Sequence, residues 1–320
     1  MGERSLRAYF AGGNVRFLRD AEANFGALQP GDPSFGNAQF YLGVTKTQLR
    51  KTKESIKIFE ELRKSAGKAL ANQISLQLAY AHIKNYTEND YLTAETELDQ
   101  LTTTATESRD LDLLLQTKAI QVFLYSVLAG RSENKNSKSQ YAAKALELGN
   151  YILNSVDNDA DSTQALRFEA LNALGITWMR LGQFGEEKDR VACWTKAQTY
   201  YDQALMIIPN SVRVLQNMAQ LRLLQVELSS PHEPLVLLEQ AKQYCVLSLE
   251  VSDQDQFPFL LLAQIAVQLG DIKGAWGYIY TGRSRPGAVK EESWVKVENA
   301  ARVADRKKKD PNISSERYAY

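Results

Sequence analysis

The chain of 320 residues has only two cysteines, Cys193 and Cys245, and two histidines, His82 and His232. Ligands this few and this scattered exclude a disulfide framework and a Cys/His zinc site, and no metal centre is expected. Glycine (18 residues) and proline (8) are also scarce. An all-β fold would need a turn signal every ~8–12 residues, so composition favours long helices. Net charge is absent, since 38 basic residues balance 38 acidic ones. Such a chain has no electrostatic drive toward nucleic acid or an anionic membrane surface. Long hydrophobic runs are missing as well. The greasiest stretch, Phe257 to Leu269, is broken by Gln264 and Gln268 and falls short of the ~20 residues that cross a bilayer. The first ten residues have no sustained apolar core, so no signal peptide is expected and the protein reads as cytoplasmic.

Motifs of catalysis are missing too. There is no phosphate loop, no His-Glu-x-x-His and no Gly-x-Ser-x-Gly. Ala11-Gly12-Gly13-Asn14 reads as a break between helical segments. Cys245 falls on an apolar stripe and reads as core. Cys193, beside Trp194 near an expected loop, is the one thiol that merits a test as a nucleophile. No catalytic residue and no cofactor is expected, and the chain reads as a non-enzyme.

What the sequence does contain is a repeat. A small residue is followed four positions later by a bulky one and three later by a small or apolar one, sometimes with proline beyond. Ala21, Phe25, Leu28 and Pro33 form one copy, and Ala197, Tyr201, Ala204 and Pro209 another. Looser copies are Ser55, Phe59, Leu62; Ala94, Leu98, Leu101; Ala142, Leu146, Gly149; Ala241, Cys245, Ser248; and Ala275, Ile279, Gly282. Offsets of four and three put each set on one helical face, where small residues admit a neighbouring helix. Ahead of these helices stand bulky-small pairs: Leu42-Gly43, Leu174-Gly175, Met218-Ala219 and Leu262-Ala263. The unit is a helix-turn-helix hairpin, with Gly270 a visible helix stop in the last copy.

This pattern resembles the tetratricopeptide repeat (TPR) family, best in Leu171, Leu174, Gly175 and Trp178 followed by Ala197, Tyr201, Ala204 and Pro209. The resemblance implies an all-α, right-handed solenoid of about seven TPR-like hairpins plus a C-terminal capping helix. Residues 1–310 then form a single array: 1–35 an N-terminal cap or partial unit, 36–288 the repeats, 289–310 the cap, with 311–320 a disordered tail. The period from Ala21 to Ser55 is 34 residues, but from Ala197 to Ala241 it is 44. About ten residues are therefore inserted within each central hairpin, around Phe184–Cys193 and Leu228–Leu237, as longer helices or extended loops. Registers between residues 70 and 160 stay ambiguous by a turn. Ser5 to Leu28 reads either as a capping helix or as the remnant of a chain cut from a longer protein.

In the family the first helices line a concave groove that binds peptides or helices. The resemblance puts Asn37, Phe40, Tyr41 and Val44; Glu169, Asn172 and Ala173; Arg213, Gln216, Asn217 and Gln220; and Phe257, Leu260, Leu261 and Gln264 on that surface. The amides among them can hydrogen-bond a ligand backbone. The chaperone-tail clamp found in one subgroup would here be Asn172, Ile176, Asn217, Phe257 and Leu261. Only Asn217 matches, so a chaperone C-terminal carboxylate is not the expected ligand. The expected function is a protein-interaction scaffold that binds a peptide or helix of a partner. The alternative is the sensor region of a larger signalling protein of nucleotide-switch or protease type.

Overall fold

The computed structural model describes residues 1–12, 15–156, 163–227, 233–253, 255–285 and 289–309. Outside these lie the expected loop at 157–162, most of the second insertion's proline segment with His232, the Gly13-Asn14 break and the 311–320 tail. Among the described residues there are fifteen helices and no strand. Consecutive helices pair as hairpins: α1 (Gly2–Gly12) with α2 (Val15–Gly26), α3 (Phe35–Gln48) with α4 (Thr52–Arg63), and α5 (Lys68–Asn85) with α6 (Glu88–Ser108). Next come α7 (Leu111–Arg131) with α8 (Lys135–Ser155) and α9 (Gln164–Phe184) with α10 (Glu187–Ile207). Last are α11 (Val212–Val226) with α12 (Pro234–Val251), α13 (Gln256–Gln268) with α14 (Ile272–Arg283), and the unpaired α15 (Glu291–Lys309). The fold is all-α, with seven hairpins and a terminal helix.

The contacts divide the chain into two compact units that meet in sequence at Pro209 and Asn210. In the first, each hairpin packs on the next through α2 on α3, α4 on α5, α6 on α7 and α8 on α9. First helices also touch the next first helix: α3 with α5, α5 with α7, and α7 with α9. The second unit repeats this with α12 on α13 and α11 beside α13, and α15 closes it against α13 and α14. The buried face of α15 is Trp294, Val297 and Ala301.

Six of the seven hairpins carry a bulky side chain set against a residue too small to obstruct it. A Cβ added to Gly43 would fall 2.7 Å from the Phe59 ring, and one added to Gly175 would fall inside contact distance of the Tyr201 ring. Both aromatics are fully buried. Where the small residue is alanine, the partner shrinks: Ala219 shares a cluster with Cys245, Ala263 with Ile279, and Ala79 with Leu98. Ala with Ile or Leu fills about the same volume as Gly with an aromatic, as a close-packed interior demands of a repeated contact, and Ala219 with Cys245 is the smaller exception.

The N-terminal segment follows the same rule. Over Ser5–Leu28, read both as a capping helix and as helical segments broken near Ala11–Asn14, the chain forms the two helices α1 and α2, and a Cβ on Gly2 would fall 2.7 Å from the Phe25 ring. The first insertion is helical rather than looped. Helices α9 and α10 each run 21 residues, against 14 and 12 in α3 and α4. At 1.5 Å per residue the hairpin is roughly 10 Å taller. The added turns carry a second lock, Gly182 under Trp194, whose Nε1 donates to the Met179 carbonyl at 3.3 Å. Gly182 stands one heptad after Gly175, and Trp194 one heptad before Tyr201, as two antiparallel helices require. Cys193 therefore lies within α10 and not in a loop.

Helix ends are set locally. Thr87, Asp110, Asn134, Ser211, Asp255 and Asp271 cap the starts of α6, α7, α8, α11, α13 and α14 through their side chains. Three helices stop through one shared hydrogen bond, in which the residue after a left-handed one donates to a carbonyl five positions back. These are Lys51 to Lys46, Asp110 to Ala105 and Asp271 to Ala266. The left-handed residues are Arg50, Arg109 and Gly270, so only the last announces itself as glycine.

By length and composition α7 could cross a bilayer, which the sequence reading did not anticipate, but more than half of its apolar window is buried inside the fold. The locks lead to a stability prediction. Gly175→Ala should destabilise the chain by about 1–3 kcal/mol in chemical denaturation, because the overpacking outweighs the gain in helix propensity. Combining it with Tyr201→Leu should cost less than the two single changes summed.

Candidate functional site

Partly exposed side chains of successive first helices meet along one face of the first unit. On α5 these are Gln73, Tyr80 and Lys84, and on α7 Gln116 and Phe123. Steps of seven and four keep each set on one side of its helix. Gln73 Nε2 donates to Gln116 Oε1 at 3.4 Å, and the Tyr80 and Phe123 rings lie 5.7 Å apart, tilted by 41°. Lys84 Nζ sits 5.4 Å from the Tyr80 centroid and 5.1 Å from that of Phe123. The face thus offers amides at one end, two rings in the middle and a cation over them. The sequence reading missed it, because the registers of α5 and α7 were ambiguous. A usable signal was there: glutamine followed seven residues later by an aromatic, in Gln73–Tyr80 and again in Gln116–Phe123.

The residues expected on the groove divide by burial. Asn37 is exposed, and Arg213, Asn217, Gln220, Glu169 and Gln264 are partly exposed. Phe40 and Tyr41 are half-buried and belong to an aromatic cluster, with Phe40 5.8 Å from Phe59 and Tyr41 stacked 5.6 Å from Phe25. Phe257 is half-buried against the α13 core. The exposure expected for Val44, Asn172, Ala173, Gln216, Leu260 and Leu261 does not hold, since all six are buried. The reason is the contact between successive first helices, which widens the buried stripe beyond the positions that face the second helix. Gln216 shows this directly, reaching α13 through a long 3.5 Å hydrogen bond from Nε2 to Asp255 Oδ2. Leu261 packs with Ala219, Cys245 and Ile265.

Neither thiol is activated. Burial pushes Cys245 up to about 12. Burial also raises Cys193, as does the neighbouring Asp189, against a smaller opposing pull from Lys196. No group of three or more His, Cys, Asp or Glu side chains among the described residues could hold a metal ion.

The α5 end of the face is pinned at its turn. His82 Nδ1 lies 2.6 Å from Asp90 Oδ1, Asn85 Nδ2 donates to Asp90 Oδ2 at 2.7 Å, and the Thr87 hydroxyl also donates to Asp90. Thr52 Oγ1 donates to Asn85 Oδ1 at 2.8 Å, which ties in the preceding hairpin. Arg131, from the end of α7, stacks 5.0 Å from the Tyr86 ring and donates to the Tyr86 carbonyl. Burial alone would raise the Asp90 pKa, but the hydrogen bonds from Thr87, His82 and Asn85 outweigh it and leave the carboxyl below its ordinary value.

No protein-family model and no curated protein sequence matches the chain. Among solved structures, a TPR2AB-domain:pHSP90 complex of yeast Sti1 aligns at 15% identity, over 85% of this chain and 96% of that one. Its TM-score of 0.29 is too low to carry weight. The chain's own hairpins, with small residues under bulky ones, define an all-α array of helical hairpins.

A carboxyl whose folded pKa is depressed contributes stability that is present above its unfolded pKa, near 3.8, and is lost as pH falls below that value. Asp90→Asn should therefore lower the melting temperature at pH 7. The gap to the parent should close as the pH is taken below about 4.

Proposed function

We propose that the chain is a TPR-type scaffold, cytoplasmic and non-enzymatic, that binds an extended segment or helix of another protein along its first-helix faces. The observation that carries this reading is the partly exposed row of Gln73, Gln116, Tyr80 and Phe123 on adjacent first helices. Paired amides can bind a ligand backbone, and adjacent rings can take one apolar side chain. Asn37 would contribute on α3, and in the second unit Arg213, Asn217 and Gln220 offer polar groups on α11 by themselves. A balance of 38 acidic and 38 basic residues favours a protein ligand over nucleic acid or a membrane surface. Burial of Asn172 and Leu261 favours a ligand other than a chaperone C-terminal carboxylate, because two of the five clamp positions are then closed.

The test is capture from the host cell, followed by titration of the purified partner. Phe123→Ala and Gln116→Ala should each weaken binding about tenfold, the usual effect of losing an interface anchor of ~1–2 kcal/mol. Circular dichroism should show helix content unchanged. Parent-like affinity in both variants would sink the assignment of this face.

A further inference from the structure

Cations near helix C-termini in this chain are generally matched by a carboxylate from a neighbouring helix. Lys46 at the end of α3 meets Glu22 at 3.0 Å and Glu54 at 2.6 Å. Arg63 at the end of α4 meets Glu97 at 2.6 Å, and Arg283 at the end of α14 meets Glu291 at 2.7 Å and Glu298 at 2.8 Å. Three arginines break the pattern: Arg222 near the end of α11, which donates to Gln225 at 2.7 Å, and two that lie close together in the first unit. Arg131 ends α7, and Arg180 lies near the end of α9. Among the described residues neither has a carboxylate partner. Among the described residues Arg131 donates only to the Tyr86 carbonyl, and Arg180 only to Gln183 Oε1, at 2.7 Å.

The two are brought together by a notch in α7. A Cβ on Gly130 would fall 2.9 Å from Arg180 Nε, so the glycine makes room for Arg180 against the stretch of α7 that carries Arg131, whose guanidinium lies over the Tyr86 and Tyr91 rings. Burial lowers the Arg180 pKa. Tyr201 opposes that shift, and the like charge of Arg131 adds to it. Lys138, in the first turns of α8, brings a third cation to the same end of α9, with its Nζ 5.8 Å from the Phe184 ring. Glu133, the acid in the intervening turn, forms no ion pair among the described residues. Two mutually repelling guanidiniums, one of them largely desolvated, are costly unless an anion completes them. Each still holds most of its five N–H donors in reserve, in the fork geometry that suits an oxyanion.

We propose that Arg131 and Arg180, seated by Gly130, form a binding site for an oxyanion, the carboxylate or phosphate of an acidic or phosphorylated side chain on the protein ligand. The anion site stands on this geometry; that its anion is carried by a protein rests on the function proposed above. The site is separate from the amide and aromatic row, so a ligand would meet rings and amides along α5 and α7 and place its charge at the α7 and α9 ends.

Titration of the full chain with inorganic phosphate, with acetate, and with sodium chloride at matched ionic strength tests the site, read by NMR at the arginine Nε–Hε signals. Saturable shifts at both Arg131 and Arg180 with phosphate or acetate, and none with chloride, are expected. The stronger of the two probes identifies which oxyanion is preferred. Arg131→Gln should weaken the effective probe about tenfold, the scale of losing one charge-assisted hydrogen bond. Gly130→Ala, which displaces only the flexible end of Arg180, should weaken it while leaving the melting temperature unchanged or higher. Shifts that do not saturate, that chloride reproduces, or that persist in Arg131→Gln overturn the site. In that event a partner captured through Phe123 would still bind. Conversely, saturable phosphate binding in a chain that captures no protein would uphold the site and count against the scaffold reading alone.

Discussion

Everything in this fold depends on how closely the two helices of a hairpin can approach. That distance is set where Gly43 lies under Phe59 and Gly175 under Tyr201, with no Cβ to hold the helices apart. Once it is fixed, the outer sides of both helices are presented in a definite register to the next hairpin, and the stack follows. The exchange of Gly with an aromatic for Ala with Ile279 keeps the summed volume while the residue types change. Nothing directional is required of these contacts. Dispersion and burial act wherever the volumes match.

The α9–α10 hairpin uses the same lock twice. Doubling it in α9 and α10 yields a taller wall without a new kind of contact. Added height lengthens the first helices, and longer first helices touch one another over more of their length. The long α7 and α9 meet in this way, and Asn172 on α9 is enclosed. The same enclosure carries Arg180 against Gly130. The gain in height and the unusual setting of that guanidinium have one origin.

Much of the architecture was legible in the sequence, because the lock has a residue signature wherever it uses glycine. Gly43, Gly175 and the stripe Ala197, Tyr201, Ala204 announced themselves. Between residues 70 and 160 the signature faded, since there Ala79 faces Leu98 and neither is distinctive. Stops were hidden for a similar reason: Tyr86 and Arg109 take the left-handed conformation without being glycine. In α8 the expected small residues Ala142 and Gly149 are buried, with Ala145 beside them, but the bulky position assigned to Leu146 is only half-buried. Surface positions were harder still. Periodicity marks the face that meets the second helix, but nothing in Gln216 or Leu261 reports a second contact with the neighbouring first helix.

Because packing contacts run between chain neighbours, each hairpin has its own local opening equilibrium, coupled only to those beside it. A partner lying across α5, α7 and α9 would bind three such equilibria at once and bring them into register with one another. It would act as a brace that turns several semi-independent openings into one cooperative event. Protection of amide hydrogens would rise in those three helices, while α13 to α15, held by their own cluster around Trp294, would exchange as before.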